Sequence, residues 1–450
     1  MFNKKNLFLV IMIIVLTISF SSAAFAEIEE IDNPVWPDEQ LGVRPDFSKY
    51  NGQKIELSLW HFSQGQISYL KPFAREFEKL YPEIDLTINL QQMPADQMWN
   101  SLATSLMSGQ GAPDITAMEI GQTSRFFVEP FVDQFKEIEL NDYLKTDLIK
   151  QEPYTANGKL LAVESAGPHP VFMFYRKDLF KEAGIEMPIE TWDEFIEAGI
   201  KMKKEIGIPI TLFPIKNITW GSWMPLSLLV QNNNPIYNEN NELIINNEQG
   251  QEVFKMIQDM IYKHEIAVDA EPDNPLTQER LVGSHQDQIA SMIAPLWFPG
   301  SRLFNKIDNP IFGLAPLPKF DNSTNQTSTW GGTGLSIVES QTEYPDIAEA
   351  YIKFILSSKN QIRKFESTNY LPVVKSALHS DAIINYTLPE VYGEQKIGEL
   401  YAKYTSELPA LNIGPGFASV DDEMRNRMNE LSEMDAKEWL DKIVEFQNEL

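Results

Sequence analysis

Cysteine is absent from the 450 residues. That excludes disulfides, thiolate metal sites, thiol nucleophiles and a lipid-modified Cys. Histidine is scarce: the five, at 61, 169, 264, 285 and 379, form no HExxH or i,i+4 pair, so a catalytic zinc site is not expected. Positive charge is short as well, with 37 Lys and Arg against 64 Asp and Glu and a net charge of −27 at pH 7. So acidic a surface repels nucleic acid and anionic lipid, and neither is expected as a partner. The GxSxG nucleophile elbow and the GxxxxGKS/T and GxGxxG phosphate cradles are also missing. No cofactor, metal or catalytic residue is therefore expected. One enzyme class stays open as an alternative, a glycan-cleaving hydrolase, because 64 acids can supply a carboxylate pair.

What is present begins with length, since single cores stop growing near roughly 250 to 300 residues and longer chains divide. Two or more lobes are expected. Residues 1–26 have the layout of a secretory leader: Lys4 and Lys5, an apolar run from Leu7 to Phe20, and Ala24-Phe25-Ala26 before Glu27. The run is shorter than the ~20 residues of a membrane helix. Its removal takes two lysines and no acid, leaving the remainder more acidic still. An exported chain without Cys must rely on packing.

Residues 27–53 are Pro- and acid-rich and read as an extended arm. Ile55, Leu57 and Leu59 then alternate with polar neighbours as in a strand, and Ile67, Leu70, Ala74, Phe77 and Tyr81 recur at helical spacing. Ile84, Leu86, Ile88 and Leu90 alternate again, which makes a right-handed βαβ unit with parallel strands. A helix near Ala95 to Met107 and a strand at Ile115 to Met118 continue an α/β architecture. A second α/β region starts near Pro170 with strand Val171 to Tyr175. Thr191 N-caps a helix with Glu194 completing a capping box, and Ile208 to Phe213 is a further strand. Met256, Met260, Met424 and Met428 sit at helical spacing and read as packing. The segment Asp421 to Leu450 reads as helix. In open α/β sheets ligands bind beyond the carboxyl ends of strands, which directs attention to 60–64 and 118–122.

Aromatic residues are the positive chemical signal. Of nine Trp, Trp60, Trp220, Trp223, Trp297 and Trp330 fall at predicted strand ends or loops. Indole faces stack on the apolar C–H faces of sugars, while carboxylates and amides hydrogen-bond the hydroxyls. Each Trp taken alone also fits a core position.

Residues 172–195, FMFYRKDLFKEAGIEMPIETWDEF, resemble the signature of the extracellular solute-binding proteins of carbohydrate ABC transporters, the group that includes maltose-binding protein. Pro113-Asp114-Ile115, Asn157-Gly158-Lys159-Leu160, Ala294-Pro295-Leu296-Trp297, Ala315-Pro316-Leu317-Pro318 and Leu371-Pro372 are similar to further landmarks of that group and occur in its order. Arg176 departs from the usual Asn. The resemblance implies a two-lobe type II periplasmic binding protein fold with a three-crossing hinge: lobe one at 27–168 and 330–369, lobe two at 170–328 and 372–450, and ligand in the cleft between them. By the same resemblance Gln64, Gly65, Met118, Glu119, His169, Trp220, Trp223, Trp297, Trp330, Gly331 and Gly332 are the cleft candidates, joined by Trp60 from its place at a strand end, with Glu119 as a hydroxyl acceptor and Trp220 and Trp297 as sugar platforms. It further implies a monomer without catalysis that carries a carbohydrate, expected to be an oligosaccharide, to the permease subunits of an ABC importer. Without a Cys for a lipid tether the expected compartment is the periplasm, with secretion as the alternative. The runner-up ligand is a sugar phosphate or glycerophosphate, for which Arg302 and Arg425 are the nearby cations.

Overall fold

The computed structural model describes residues 28–167, 169–215, 222–303, 306, 307 and 309–449, with the side chains of 300–302 excepted. The leader-like segment 1–26 and Trp220 lie outside the described residues.

The alternation at Ile55 becomes strand β1 (Lys54–His61), whose inward residues Ile55, Leu57 and Leu59 are fully buried. Helix α1 (Gln64–Lys79) follows, N-capped by the Ser63 hydroxyl, which accepts from Gln66 N. β2 (Asp85–Gln92) pairs with β1 in parallel register, Ile55 opposite Leu86. α2 (Ala95–Ser108) ends on Gly109 in the left-handed conformation, and β3 (Ile115–Glu119) joins β1 on its other side. β4 (Val163–Glu164) closes the far edge of this sheet.

The second lobe starts with β5 (Val171–Arg176), buried at both faces as a central strand should be. α3 (Trp192–Ile206) starts at Thr191, whose hydroxyl accepts from Glu194 N at 3.2 Å; the Glu194 carboxylate reaches back to Glu190 N at 2.9 Å. Then come α4 (Trp223–Gln231), β6 (Ser291–Pro295), α5 (Trp297–Arg302) and β7 (Phe312–Ala315), with β6 and β7 flanking β5 antiparallel. The expected strand at 208–213 shortens to Thr211–Phe213, paired in parallel with Ala267–Asp269. β8 (Thr333–Ile337) returns to the first sheet, completing the order β2-β1-β3-β8-β4. α6 (Ser358–Thr368), α7 (Phe417–Arg427) and α8 (Ala436–Glu449) follow. The predicted terminal helix is thus broken between 428 and 435, where Trp439 donates its indole N–H to Arg427 O at 2.8 Å.

The two sheets have separate cores. One gathers Leu57, Phe73, Phe77, Leu86, Ile337 and Tyr351, with a satellite around Trp99 and Phe126. The other gathers Phe172, Phe195, Leu228, Ile293, Phe417 and Trp439, and Met256, Met260, Met424 and Met428 all pack there. The chain crosses between cores after Val163, returns before Leu335 and leaves again after Leu356. This third passage is not a clean step at 372. Phe365 and Leu371 pack in the second core, Val373, Val374 and Ala377 in the first, and Leu378 in the second again. Two extended segments running side by side allow that interleaving: Ile149 N donates to Val373 O at 2.9 Å.

Candidate functional site

The three crossings bring together one patch at the carboxyl end of β3. Opposite Glu119 in the β3–β8 register stands Thr333, and Ile120 N donates to Gly332 O at 3.1 Å. The Glu119 carboxylate accepts from Gly121 N at 2.7 Å, capping the turn that follows β3. Burial pushes its pKa up to about 8, and the nearby carboxylates of Asp421 and Glu164 add to the shift.

Glu164, 4% exposed, is the anchor of the patch. Its Oε1 accepts from Thr333 N at 2.8 Å and Gly167 N at 3.2 Å, and its Oε2 from the Tyr154 hydroxyl at 2.5 Å. The first crossing, the second crossing and the segment at Tyr154 are thereby tied to one carboxylate. Gly332 lies against it at φ +147°, where a Cβ would stand 2.6 Å from Glu164 Oε2, so only glycine fits.

His169 follows on the first crossing, 5% exposed, with its pKa lowered to about 3 because burial disfavours the imidazolium. A neutral ring results, able to donate and accept. It meets the Tyr370 ring edge-on with centroids 6.0 Å apart, and His169 O accepts from Trp330 N at 3.3 Å. Half-buried Trp297, first residue of α5, completes the cluster: a side chain on Gly331 would come within 3.3 Å of its Nε1 and 3.7 Å of His169 Cδ2. Lobe two contributes a second wall through α7. A Cβ on Gly121 would be 3.5 Å from the Phe417 ring, and Ala418 N donates to the Ser124 hydroxyl at 3.1 Å. Asp421, on the same helix, accepts from Ser222 and pairs with Arg425 at 3.3 Å.

Glu119, His169, Trp297, Trp330, Gly331 and Gly332 are therefore neighbours at the junction of the lobes. The other candidates are placed differently. Met118 has no exposed surface and belongs to the Trp99–Phe126 core, so this conformation leaves nothing of it for a ligand to touch. Trp223 is 3% exposed in the core of lobe two. Trp60 packs half-buried against the Trp99 satellite core, Gln64 is exposed at the start of α1 and Gly65 is buried. Tyr154, Glu164, Phe417 and Asp421 were not among the sequence candidates. Glu164 had a legible signal, an acid following the apolar run Leu160 to Val163. Phe417 and Asp421 had none, because α7 reaches the site only through the fold.

Chemically, the patch offers a stacking surface, a neutral imidazole, a carboxyl that holds its proton near neutrality, and backbone groups of a glycine pair. No group of three or more His, Asp or Glu able to hold a metal exists among the described residues. A family model described as bacterial extracellular solute-binding protein matches residues 63–362. The chain is 27% identical to an arabinooligosaccharide-binding protein of Halalkalibacterium halodurans, over 69% of each chain. It is also 27% identical to one of Bacillus subtilis, over 72% of this chain and 75% of that one. Among solved structures it resembles a cyclic alpha-maltosyl-1,6-maltose binding protein of Arthrobacter globiformis, with TM-score 0.71, 20% identity, and 87% and 97% of the two chains covered.

Proposed function

Because this chain belongs to the bacterial extracellular solute-binding protein family, we propose that its inter-lobe patch captures an oligosaccharide, of the arabino-oligosaccharide class, for delivery to an ABC importer. The protein is a binder and not an enzyme. The observation that carries the ligand class is the juxtaposition of Trp297 with His169, Glu119 and the Gly331-Gly332 backbone: an apolar platform beside uncharged donors and acceptors, the pairing a sugar ring needs. The relatives named above are arabinooligosaccharide-binding proteins, which supports the arabino sub-class. A sugar phosphate is disfavoured, since the acidic groups lining the patch, Glu119, Glu164 and Asp421, supply no positive charge, and the Arg425 guanidinium is taken up by Asp421 and Asp422.

Contact of one ligand with both walls favours the closed arrangement by its differential affinity. The compartment we propose is the periplasm, from the leader-like first 26 residues and the absence of Cys. Isothermal titration with arabinotriose, maltotriose, arabinose and glycerol 3-phosphate tests the reading. Arabinotriose is expected to bind and glycerol 3-phosphate not to. Binding of the phosphate with no response to any sugar refutes it.

A further inference from the structure

Lys364 on α6 is fully buried, and among the described residues its ammonium donates to no carboxylate, Glu164 acting on it only through space. It donates instead to four oxygens: Ser165 O at 2.9 Å, Ala166 O at 3.2 Å, Leu371 O at 2.9 Å and Gln361 Oε1 at 2.8 Å. An ammonium has three N–H groups, so it is saturated. Taking such a charge from water is costly unless it is fully hydrogen-bonded. The position of these acceptors is what gives the arrangement meaning. Ser165 and Ala166 belong to the first crossing and Leu371 to the third, and the two backbones touch there. Gly167 sits at φ +122° with room for no Cβ, which would lie 2.3 Å from Leu371 O. Gln361 is held as an acceptor because its Oε1 also receives Val373 N at 3.0 Å while its Nε2 donates to Ile355 O.

We propose that Lys364 is the hinge pin of this protein, a positioning residue whose ammonium clamps the first crossing to the third and so sets the axis about which the lobes turn. The inference rests on the two-lobe binding reading above. Lobe rotation twists the crossings against each other, and carbonyls drawn from both crossings can converge on one nitrogen at only a narrow range of twist. The clamp thus limits the lobes to rotations that bring α7 against the turn after β3. Glu164 performs the matching task between first and second crossings, so all three are joined within a few residues of His169.

The test uses Lys364→Met, which keeps the stem and removes the donors. Because the natural chain has no Cys, dyes can be placed on Gln97→Cys in lobe one and Lys204→Cys in lobe two, both exposed. Single-molecule energy transfer in the ligand-free protein, well below its melting temperature, is expected to show a wider lobe-to-lobe distance distribution in Lys364→Met. Arabinotriose affinity is expected to fall at least about tenfold, equivalent to ~1.4 kcal/mol. A merely structural lysine would lower the melting temperature and leave the distribution unchanged, which overturns the proposal. If Lys364→Met does not fold, Gln361→Leu removes one acceptor and is expected to widen the distribution by less; an unchanged distribution again overturns it. The distance readout needs no sugar, so a failure of the ligand assignment leaves this test intact.

Discussion

Replacing Glu164 by Ala removes a carboxylate that serves three buried donors at once. Thr333 N at 2.8 Å, Gly167 N at 3.2 Å and the Tyr154 hydroxyl at 2.5 Å would each lose their acceptor. A buried donor left unpaired costs about 1–3 kcal/mol. Water entering the vacated volume would restore part of this, which puts the expected loss at roughly 3–6 kcal/mol. Glu164→Gln is the informative partner, because its single oxygen can still accept both N–H groups while its NH2 donates to Tyr154. For it we expect a cost of roughly 1–2 kcal/mol. Urea unfolding followed by far-ultraviolet circular dichroism measures both variants. Two results would refute the reasoning: a loss below about 1 kcal/mol for the Ala variant, or equal losses for Ala and Gln. Equality would mean that the charge, and not the acceptor geometry, holds the crossings together.

Trp297→Ala should weaken arabinotriose binding by roughly 10- to 100-fold, the equivalent of ~1.5–3 kcal/mol of lost stacking, whereas Trp223→Phe should leave affinity unchanged and lower the melting temperature; calorimetry that shows the reverse pattern reassigns both. Glu119 has its folded pKa raised from 4.5 to about 8, so the stability it contributes is complete below pH ~4.5 and is lost as pH rises toward 8. Urea midpoints of the ligand-free protein should accordingly decline across that window relative to Glu119→Gln, and a constant difference between the two would contradict the assignment. Phe417→Ala, at a site 2% exposed, should cost about 3–5 kcal/mol in lobe two and also loosen the contact with Gly121; thermal unfolding and the dye-pair distance report the two effects separately.

Local pattern carried the strands and helices on which the site is mounted. The alternation at Ile55 to Leu59 and the helical spacing from Ile67 to Phe77 were readable because each apolar side chain must reach a core from its own element, and periods of 2 and 3.6 record that requirement in the chain itself. Thr191 and Glu194 were readable for a similar reason, since a cap acts within four residues. Arg176 departs from the family pattern but is explained locally as well: its guanidinium pairs with Asp178 at 2.6 Å.

Which aromatic joins the junction patch was not decided locally. Trp223 and Trp297 each open a helix, yet one is buried in lobe two and the other stands beside Gly331. Met118 and Glu119 are adjacent in β3, and the pleat sends the first into the core and leaves the second at the junction. The roles of Glu164, Lys364 and Phe417 belong entirely to the tertiary structure. The partners that tie one crossing to another, Thr333 for Glu164, Ser165 and Ala166 for Lys364 and Gly121 for Phe417, lie well over a hundred residues away, and the same carboxyl or ammonium on an exposed helix would be ordinary surface charge. Length, acidity, the α/β alternation and the family signature are properties of the sequence by itself. The junction patch forms only where three distant crossings converge, because hydrogen bonding and burial depend on which groups the fold brings within 3 Å, and no periodicity along the chain encodes that distance.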